Sequence, residues 1–246
     1  MTAPASDSRL LAFDTSTDTL SVGVSHGRRQ WLHSGPGAAQ ASITLIPTVL
    51  DLLAQAGLRL QDLDAIVLGR GPGSFTGVRT ACAVAQGLAA ASGRPVLPID
   101  TLLALAEEAR ALAQAQGLAV QPITAVLDAR MGEVYVQHFE PVGPDSLRAS
   151  GPCHLSAPEA LAYPDGAARL VAGNAMGVYP QLSAAPAGSI CLAALPSAAA
   201  LLRLAAGRLD QATSADQALP LYVRDKVAQT TQERLALKAA PHQGAP

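Results

Sequence analysis

The chain has 246 residues, of which 49% are apolar and 15% charged, and its 17 lysines and arginines nearly balance 19 acidic residues. This composition supports a packed globular core, and the balanced charge argues against a protein that binds nucleic acid tightly without a partner. No apolar run approaches the roughly 18–20 residues that span a bilayer, and the N-terminal MTAPASDSRL lacks a secretory pattern. The three cysteines are scattered and lack metal spacing, so we expect a cytoplasmic protein.

The first third of the chain predicts three strands, a helix and a fourth strand. The strands are recognised by short apolar or alternating runs between turn residues, and the helix by its longer apolar pattern, which contains Pro47. In chain order these elements cover residues 9–14, 20–25, 28–33, about 42–56, and 64–69. The three opening strands are close enough in sequence to form a meander.

A glycine-rich loop, GRGPGSFTG, then leads from the fourth strand into a second helix, whose cap we expect to be Ser74 or Thr76. Free N–H groups at a helix start can bind an anion, so four residues are candidates for a nucleotide or anion site: Gly71, Gly73, Ser74 and Thr76. However, a nucleoside triphosphatase loop would need a lysine directly after its last glycine, where this chain has valine, and the dinucleotide fingerprint has a different spacing. We favour a structural or partner-docking turn.

The two predicted helices that flank this loop lack a charged face. Asp51 is the sole charge between residues 40 and 57, and Arg79 is the sole charge between residues 75 and 93. An ordinary surface helix has one apolar stripe and a polar opposite side, so each of these helices needs a second cover. Burial inside a large domain is one explanation. The other, which we favour, is an association surface.

We assign the following residues to this association surface: Ile43, Ile46, Leu50, Leu53, Phe75, Thr76, Val78, Arg79, Ala81, Cys82, Ala85 and Ala89. On this assignment, Ala85→Glu should block association and leave the fold intact. Arg79 either caps a neighbouring carboxylate or faces the partner, and the sequence does not choose between these roles.

The remaining elements repeat the pattern of the opening ones. A strand over residues 95–99 precedes a helix over about 101–115, with Glu107 and Glu108 expected on its solvent side. Residues 123–139 then predict a strand–turn–strand hairpin with the same organisation as residues 9–25. A duplicated hairpin indicates two related halves. A later strand is predicted at 168–172, and a helix at 197–209.

Five segments spread along the chain match one family in the family's own order. They are LLAFDTSTDTLSVGV at 10–24, LGRGPGSFTGVRTACAVAQGLA at 68–89, PVLPIDTLLALAE at 95–107, AVLDARMGEVYV at 125–136 and LPLYVRDKVA at 219–228. The chain therefore resembles the TsaB (YeaZ) family of tRNA threonylcarbamoyladenosine biosynthesis proteins. The resemblance implies an α/β fold of the actin/Hsp70/sugar-kinase-like (ASKHA) class, with two related lobes whose mixed sheets are flanked by helices.

On this basis we expect a first lobe at residues 1–104, which carries the partner-binding helices, and a second lobe at residues 105–235. The helix near 197–209 would pack back on the first lobe, and residues 236–246 would form a mobile tail. One stretch departs from the family's pattern. Residues 39–42 are neutral, whereas family members often have a charged, histidine-containing stretch there.

In working members of the ASKHA fold, two hairpin turns hold the phosphates of ATP and a Gly-Gly turn holds adenosine. The matching phosphate turns here look degenerate, and their candidate residues are Asp14, Thr15, Ser16, Asp128, Arg130 and Gly132. The first turn lacks a glycine, the second has bulky residues where phosphate would approach, and the adenosine-type turn at 171–175 has one glycine. We therefore expect no catalytic residue in this chain.

We also expect no metal site and no peptidase activity. The family's catalytic relative, TsaD, binds a metal through paired histidines on a helix, and the five histidines of this chain contain no such pair. Neither an HExxH motif nor a GxSxG motif is present.

The resemblance further implies partners. Members of the family pair with the transferase TsaD through the two helices of the first lobe, form homodimers through an overlapping surface when TsaD is absent, and work with the ATPase TsaE. The implied role is a scaffold for forming tRNA N6-threonylcarbamoyladenosine (t6A), which contacts tRNA only through the complex. It requires no cofactor of its own, although ATP or ADP could bind at the partner interface. Two alternatives stay open: an autonomous kinase-like ATPase that uses Asp14 and Asp128, and a nucleotide-sensing module near the glycine loop.

Overall fold

A computed structural model of the chain describes residues 7–37, 40–119, 121–143, 145–182 and 184–224. The first lobe is built on a five-stranded sheet with strand order β3-β2-β1-β4-β5. Its strands are β1 (Arg9–Asp14), β2 (Thr19–His26), β3 (Arg29–Pro36), β4 (Ala65–Gly69) and β5 (Val96–Ile99). The first three strands form an antiparallel meander, and β4 and β5 run parallel to β1.

The second lobe repeats this topology. Its strands are β6 (Ile123–Arg130), β7 (Glu133–Gly143), β8 (Ser146–Ala149), β9 (His154–Ser156), β10 (Leu170–Ala172) and β11 (Ile190–Leu192). The order β8-β7-β6-β10-β11 matches that of the first sheet, with an antiparallel meander followed by two parallel strands. The duplicated hairpin predicted from the sequence is confirmed, and with it the fold class of two related lobes.

Five α-helices are described, and the larger ones cover the sheets. They are α1 (Ala41–Ala56), α2 (Phe75–Ser92), α3 (Thr101–Ala115), α4 (Ala175–Val178) and α5 (Ala198–Ala205). Helices α1 and α2 lie side by side on one face of the first sheet, and α5 covers the other face. Helix α3 packs on the second sheet.

Strand β1 shows why the first lobe needs helices on both faces. Leu11 and Phe13 face α1 and α2, whereas Leu10 and Ala12 face α5. Successive side chains of a strand point to opposite faces of the sheet. The uninterrupted apolar run that predicted this strand therefore reflects a strand that is buried on both sides.

The predicted lobe boundary between residues 104 and 105 falls inside α3, whose first turn contacts the first lobe through Thr101 and Ala104 while much of the remaining helix packs on the second. Helix α5 packs on the first sheet. Residues 225–246, which include the predicted tail, lie outside the described residues, as does residue 39 of the neutral stretch.

One prediction for α3 was wrong. Glu107, expected on the solvent side, is 3% exposed. Its carboxylate accepts hydrogen bonds from Arg110 at 2.8 and 2.9 Å and from Arg203 of α5 at 2.7 Å. Helix α5 packs against this side of α3, and the sequence of α3 alone cannot reveal that contact.

Candidate docking face and interlobe cleft

The outward side of α1 carries a stripe of large apolar side chains. Ile43, Ile46 and Leu50 are 75%, 44% and 52% exposed, and their spacing of three and four residues puts them on one side of the helix. The opposite side, which includes Leu45 and Val49, is buried against the first sheet. The stripe is thus an apolar surface that no described part of the chain covers.

The outward side of α2 consists mainly of small residues. Thr76, Ala83, Gly87 and Ala90 are exposed, and Arg79 is the single charge of the helix. Because α1 and α2 lie next to each other, the bulky stripe of the first helix borders the shallow surface of the second. A helix from another chain can approach such small side chains closely.

Six residues predicted at the association surface do not lie on this outward face. Leu53, Val78, Ala81, Cys82, Ala85 and Ala89 are each 3% exposed or less. They face the chain's own first lobe, so their assignment to the surface was wrong. A helix that is apolar all round does not reveal which side meets its own sheet. The other predicted residues, Ile43, Ile46, Leu50, Phe75, Thr76 and Arg79, are exposed.

The glycine loop packs directly on the first hairpin turn. The Thr15 hydroxyl donates to the Gly77 carbonyl oxygen at 2.6 Å, and the Ser74 N–H donates to the Ser16 carbonyl oxygen at 2.7 Å. A Cβ added to Gly77 would lie 1.9 Å from the Thr15 carbonyl oxygen, and one added to Gly73 would lie 2.5 Å from that of Ser16. These glycines allow one backbone to approach another, which favours the structural interpretation of the loop over anion binding.

The loop also starts α2 as predicted. Ser74 is the N-cap, and its side-chain oxygen accepts from the Gly77 N–H at 3.5 Å. Gly71 is buried, and Thr76 is exposed in the first turn. The four candidate anion-binding residues therefore lie together at the helix start, although Ser74 bonds within the protein through both its N–H and its hydroxyl.

Asp14, at the end of β1, is 1% exposed and fully engaged. One carboxylate oxygen accepts from the N–H and the hydroxyl of Ser16 at 2.8 and 2.6 Å, and the other accepts from the Thr101 hydroxyl at 3.2 Å. Burial raises the pKa of Asp14, while the Ser16 bonds oppose that shift. This arrangement stabilises the turn and leaves the carboxylate enclosed by its own neighbours.

The carboxylate of Asp128, the corresponding residue of the second lobe, is also engaged by donors from within the chain. Its Oδ1 accepts from the Arg130 N–H and the Tyr179 hydroxyl, both at 2.7 Å, and the Arg130 guanidinium lies 3.1 Å from its Oδ2. Arg130 also pairs with Asp18 of the first hairpin turn at 2.8 Å. An arginine of the second lobe therefore bridges the two phosphate-type turns, and Gly132 follows it with a φ of 76°.

The turns enclose a cleft of about 230 Å³ between the lobes, lined in part by Ser16, Asp18, Phe75, Asp128 and Arg130. A magnesium–nucleotide site of the ASKHA type would need the two aspartates available for the metal's water ligands. Both are instead held by hydroxyl, N–H or guanidinium donors. The residues of this cleft therefore do not fit a magnesium–nucleotide. No set of three His, Cys, Asp or Glu residues suited to a metal occurs in the part of the chain that the structure describes.

Sequence reasoning gave no role to the segment 218–224, which we call the strap. It crosses from the first lobe to the second and lines the cleft with Leu221, Tyr222 and Arg224. The Arg79 Nε–H donates to the Tyr222 hydroxyl at 2.7 Å. Of the two roles left open for Arg79, capping a carboxylate is not observed among the described residues. The available signal was the motif LPLYVRDKVA, which marks the segment without indicating a contact.

None of the described helices is long and apolar enough to cross a membrane. The rings of His138 and His154 lie 6.2 Å apart on two neighbouring strands of the second sheet, β7 and β9.

Comparison with known proteins identifies the family. A family model described as TsaD, tRNA N6-adenosine threonylcarbamoyltransferase, matches residues 37–232. The tRNA threonylcarbamoyladenosine biosynthesis protein TsaB of Haemophilus influenzae is 43% identical over 127 residues, which is 51% of each chain. TsaB of Escherichia coli is 36% identical over 132 residues, covering 54% of this chain and 55% of the relative. The matched region thus spans about half the length of these curated relatives.

A solved structure extends the match to nearly the whole fold. YeaZ from Pseudomonas aeruginosa is 39% identical, with a TM-score of 0.77, and the alignment covers 87% of this chain and 99% of that one. A second solved chain, described as similar to peptidase YEAZ from Pseudomonas aeruginosa, has the same TM-score and identity. The paired lobes, the glycine loop on its hairpin turn and these similarities together show that the chain belongs to the TsaB (YeaZ) family, within the wider domain family described as TsaD.

Proposed function

We propose that this chain is a non-catalytic scaffold subunit in t6A biosynthesis, and that it binds a TsaD-type transferase through the outward face of α1 and α2. The observation that carries this proposal is the uncovered stripe of Ile43, Ile46 and Leu50. An exposed apolar patch beside a surface of small residues is typical of a protein interface.

The stripe is large enough to contribute substantially to binding. Fully burying one such side chain stabilises by about 1.5–3 kcal/mol, and these three are between 44% and 75% exposed. Covering them would therefore contribute roughly 3–5 kcal/mol before the cost of association. The small residues of α2 would add contact area at close approach. The same face would support a homodimer when the transferase is absent.

The enclosed aspartates of the cleft support the non-catalytic part of the proposal. Activity as an autonomous ATPase would require Asp14 and Asp128 to exchange their present donors for a hydrated metal, and Arg130 would have to leave the position where it bridges the lobes. In this proposal the TsaE ATPase and any ATP or ADP act on the complex, with nucleotide at the partner interface. The balanced charge of the chain accords with tRNA binding only through the complex.

Two matched variants test the docking proposal. Leu50 and Leu32 are both 52% exposed leucines of the first lobe. Leu50 lies on the outward stripe. Leu32 of β3 lies on the α5 side of the sheet, because a Cβ added to Gly23 would meet Leu32, Ala198 and Leu202 together.

Leu50→Glu should abolish the complex with the transferase on size exclusion and stop t6A formation in a reconstituted reaction, while Leu32→Glu should retain both. Loss of the complex in both variants, or retention in both, would contradict docking through α1 and α2. Thermal melts of the isolated variants verify that each chain is folded before mixing.

A further inference from the structure

We infer that the strap forms part of the docking face, and that Phe75, Arg79 and Tyr222 make a cation–aromatic anchor for a carboxylate of the TsaD-type partner. This inference rests on the proposed function and adds to it a polar contact that fixes the position of the partner. Sequence reasoning assigned the strap no role, and it left open whether Arg79 caps a neighbouring carboxylate or faces the partner.

The strap is seated firmly on the first lobe. Ala218 is fully buried in the core beneath α2, and its carbonyl oxygen accepts from the Gln86 side chain at 3.2 Å. The Leu221 N–H donates to the Arg70 carbonyl oxygen at 2.8 Å. Gly71, with a φ of 103°, permits this approach, since a Cβ there would lie 2.9 Å from the Leu221 carbonyl oxygen. Tyr222 is therefore presented beside the first turn of α2 by a fixed backbone.

Three side chains meet at that point. The Arg79 guanidinium lies 3.8 Å from the centroid of the Phe75 ring and 5.6 Å from that of Tyr222, and the two ring centroids are 5.9 Å apart. The Tyr222 hydroxyl accepts from Arg79 Nε at 2.7 Å. Phe75 and Tyr222 remain 44% and 49% exposed. The cluster is ordered by contacts within the chain and still presents about half of each ring to the outside.

The terminal nitrogens of Arg79 identify the chemistry that fits this cluster. Its Nε is bonded and its plane is stacked on Phe75, whereas its two terminal nitrogens have no hydrogen-bond partner within the described residues. A guanidinium held in this way presents a fork that matches a carboxylate. Asp51, the single acid of α1 and α2, accepts from Gln55 at 2.8 Å and is not paired with Arg79. Since no acid among the described residues pairs with Arg79, we assign the complementary carboxylate to the partner.

Arg224 makes the anchor depend on both lobes. Its guanidinium donates to the Ala129 carbonyl oxygen at 3.2 Å and pairs with Glu133, and its side chain is 13% exposed. The neighbouring Val223 packs against the core of the second lobe. Arg224 is thus a positioning residue. It holds the strap to the second lobe while Tyr222 contacts the first.

The test is calorimetric titration of the full-length chain with the TsaD-type transferase of the same organism, at low and high salt. Tyr222→Ala and Arg79→Gln should each weaken binding by tenfold or more, and Arg79→Gln should remove most of the salt dependence. Tyr222→Phe, which removes only the hydroxyl, should lower the affinity by a smaller factor. The matched control is Arg148→Gln, since Arg148 is an exposed arginine on β8 of the other sheet, and it should bind as the parent does.

The outcomes distinguish failure of the carboxylate anchor from failure of the proposed docking face. Loss of binding in Leu50→Glu together with binding within twofold of the parent in Tyr222→Ala and Arg79→Gln would overturn the anchor and leave the docking face standing. Unchanged binding in all three would overturn both. If Arg79→Gln weakened only self-association of the chain and left the transferase complex intact, the carboxylate would belong to a second copy and the inference as stated would be wrong.

Discussion

Placing the same negative charge on the two sides of α2 tests the assignment of its faces. Ala83 and Ala85 lie two residues apart on one helix, but Ala83 is exposed and Ala85 is 0% exposed. Ala83→Glu places a carboxylate in water, where a surface substitution changes the free energy of unfolding by about 0.5 kcal/mol or less. The variant should fold normally and fail to bind its partner, because docking would bury an unpaired charge.

Ala85→Glu should behave differently. A glutamate enclosed in the core between α2 and the first sheet must be neutral, and raising its pKa from about 4.3 to above 7 costs about 4 kcal/mol. The larger side chain adds about 1–3 kcal/mol of overpacking. The sum, about 5–7 kcal/mol, is comparable with the whole stability of a typical domain. From sequence alone, Ala85→Glu was expected to block association and leave the fold intact. The structure replaces this expectation with the prediction that the variant does not fold stably.

The assay combines thermal unfolding followed by circular dichroism with size exclusion in the presence of the transferase. Ala83→Glu should melt within about 3 °C of the parent and elute without the partner, since a change of 1 kcal/mol shifts Tm by about 2–4 °C for a chain of this size. Ala85→Glu should melt far lower or be unfolded at room temperature. A stably folded Ala85→Glu, or a destabilised Ala83→Glu, would refute the assignment of the two faces.

Four further outcomes are expected. Glu107→Ala should lower the free energy of unfolding by about 1.5–3 kcal/mol in denaturant titrations, because it removes the buried carboxylate that Arg110 and Arg203 share, although these arginines keep Asp145 and Glu108 as partners, whereas Glu140→Ala on β7 should have little effect. Gly77→Ala should destabilise the chain by several kcal/mol, because its Cβ would meet the Thr15 carbonyl oxygen. Burial, with smaller contributions from neighbouring charges, lowers the pKa of His138 to about 4, so its contribution to stability is complete above pH 6.5 and is lost as pH falls towards 4. His138→Gln should reduce that acid sensitivity by about 1–2 kcal/mol in melts between pH 7 and pH 4, once the partial exposure of the ring is allowed for. Purified chain with magnesium and ATP should show no turnover above background, and turnover that Asp14→Ala abolished would establish an ATPase.

Local sequence patterns predicted much of the architecture. The apolar run of β1, the repeated hairpin at β1–β2 and β6–β7, and the Ser74 cap at the start of α2 can all be recognised because strand alternation and helix capping depend on residues close in sequence. The exposed stripe of α1 was also within the predicted surface. The degenerate turns could be located by comparison with the family's motifs, although the bridge from Arg130 to Asp18 could not.

The amino-acid sequence and its family motifs were enough to predict the fold class, the position of the glycine loop and the existence of two helices without a charged face. Three features became visible only in the folded chain: the side of α2 that faces its own sheet, the position of Glu107 beneath α5, and the contact of Tyr222 with Arg79, 143 residues away. The physical reason is the range of the interactions. Periodicity and capping operate over a few residues, whereas the face that a helix buries and the partner that an arginine finds depend on segments that folding brings together.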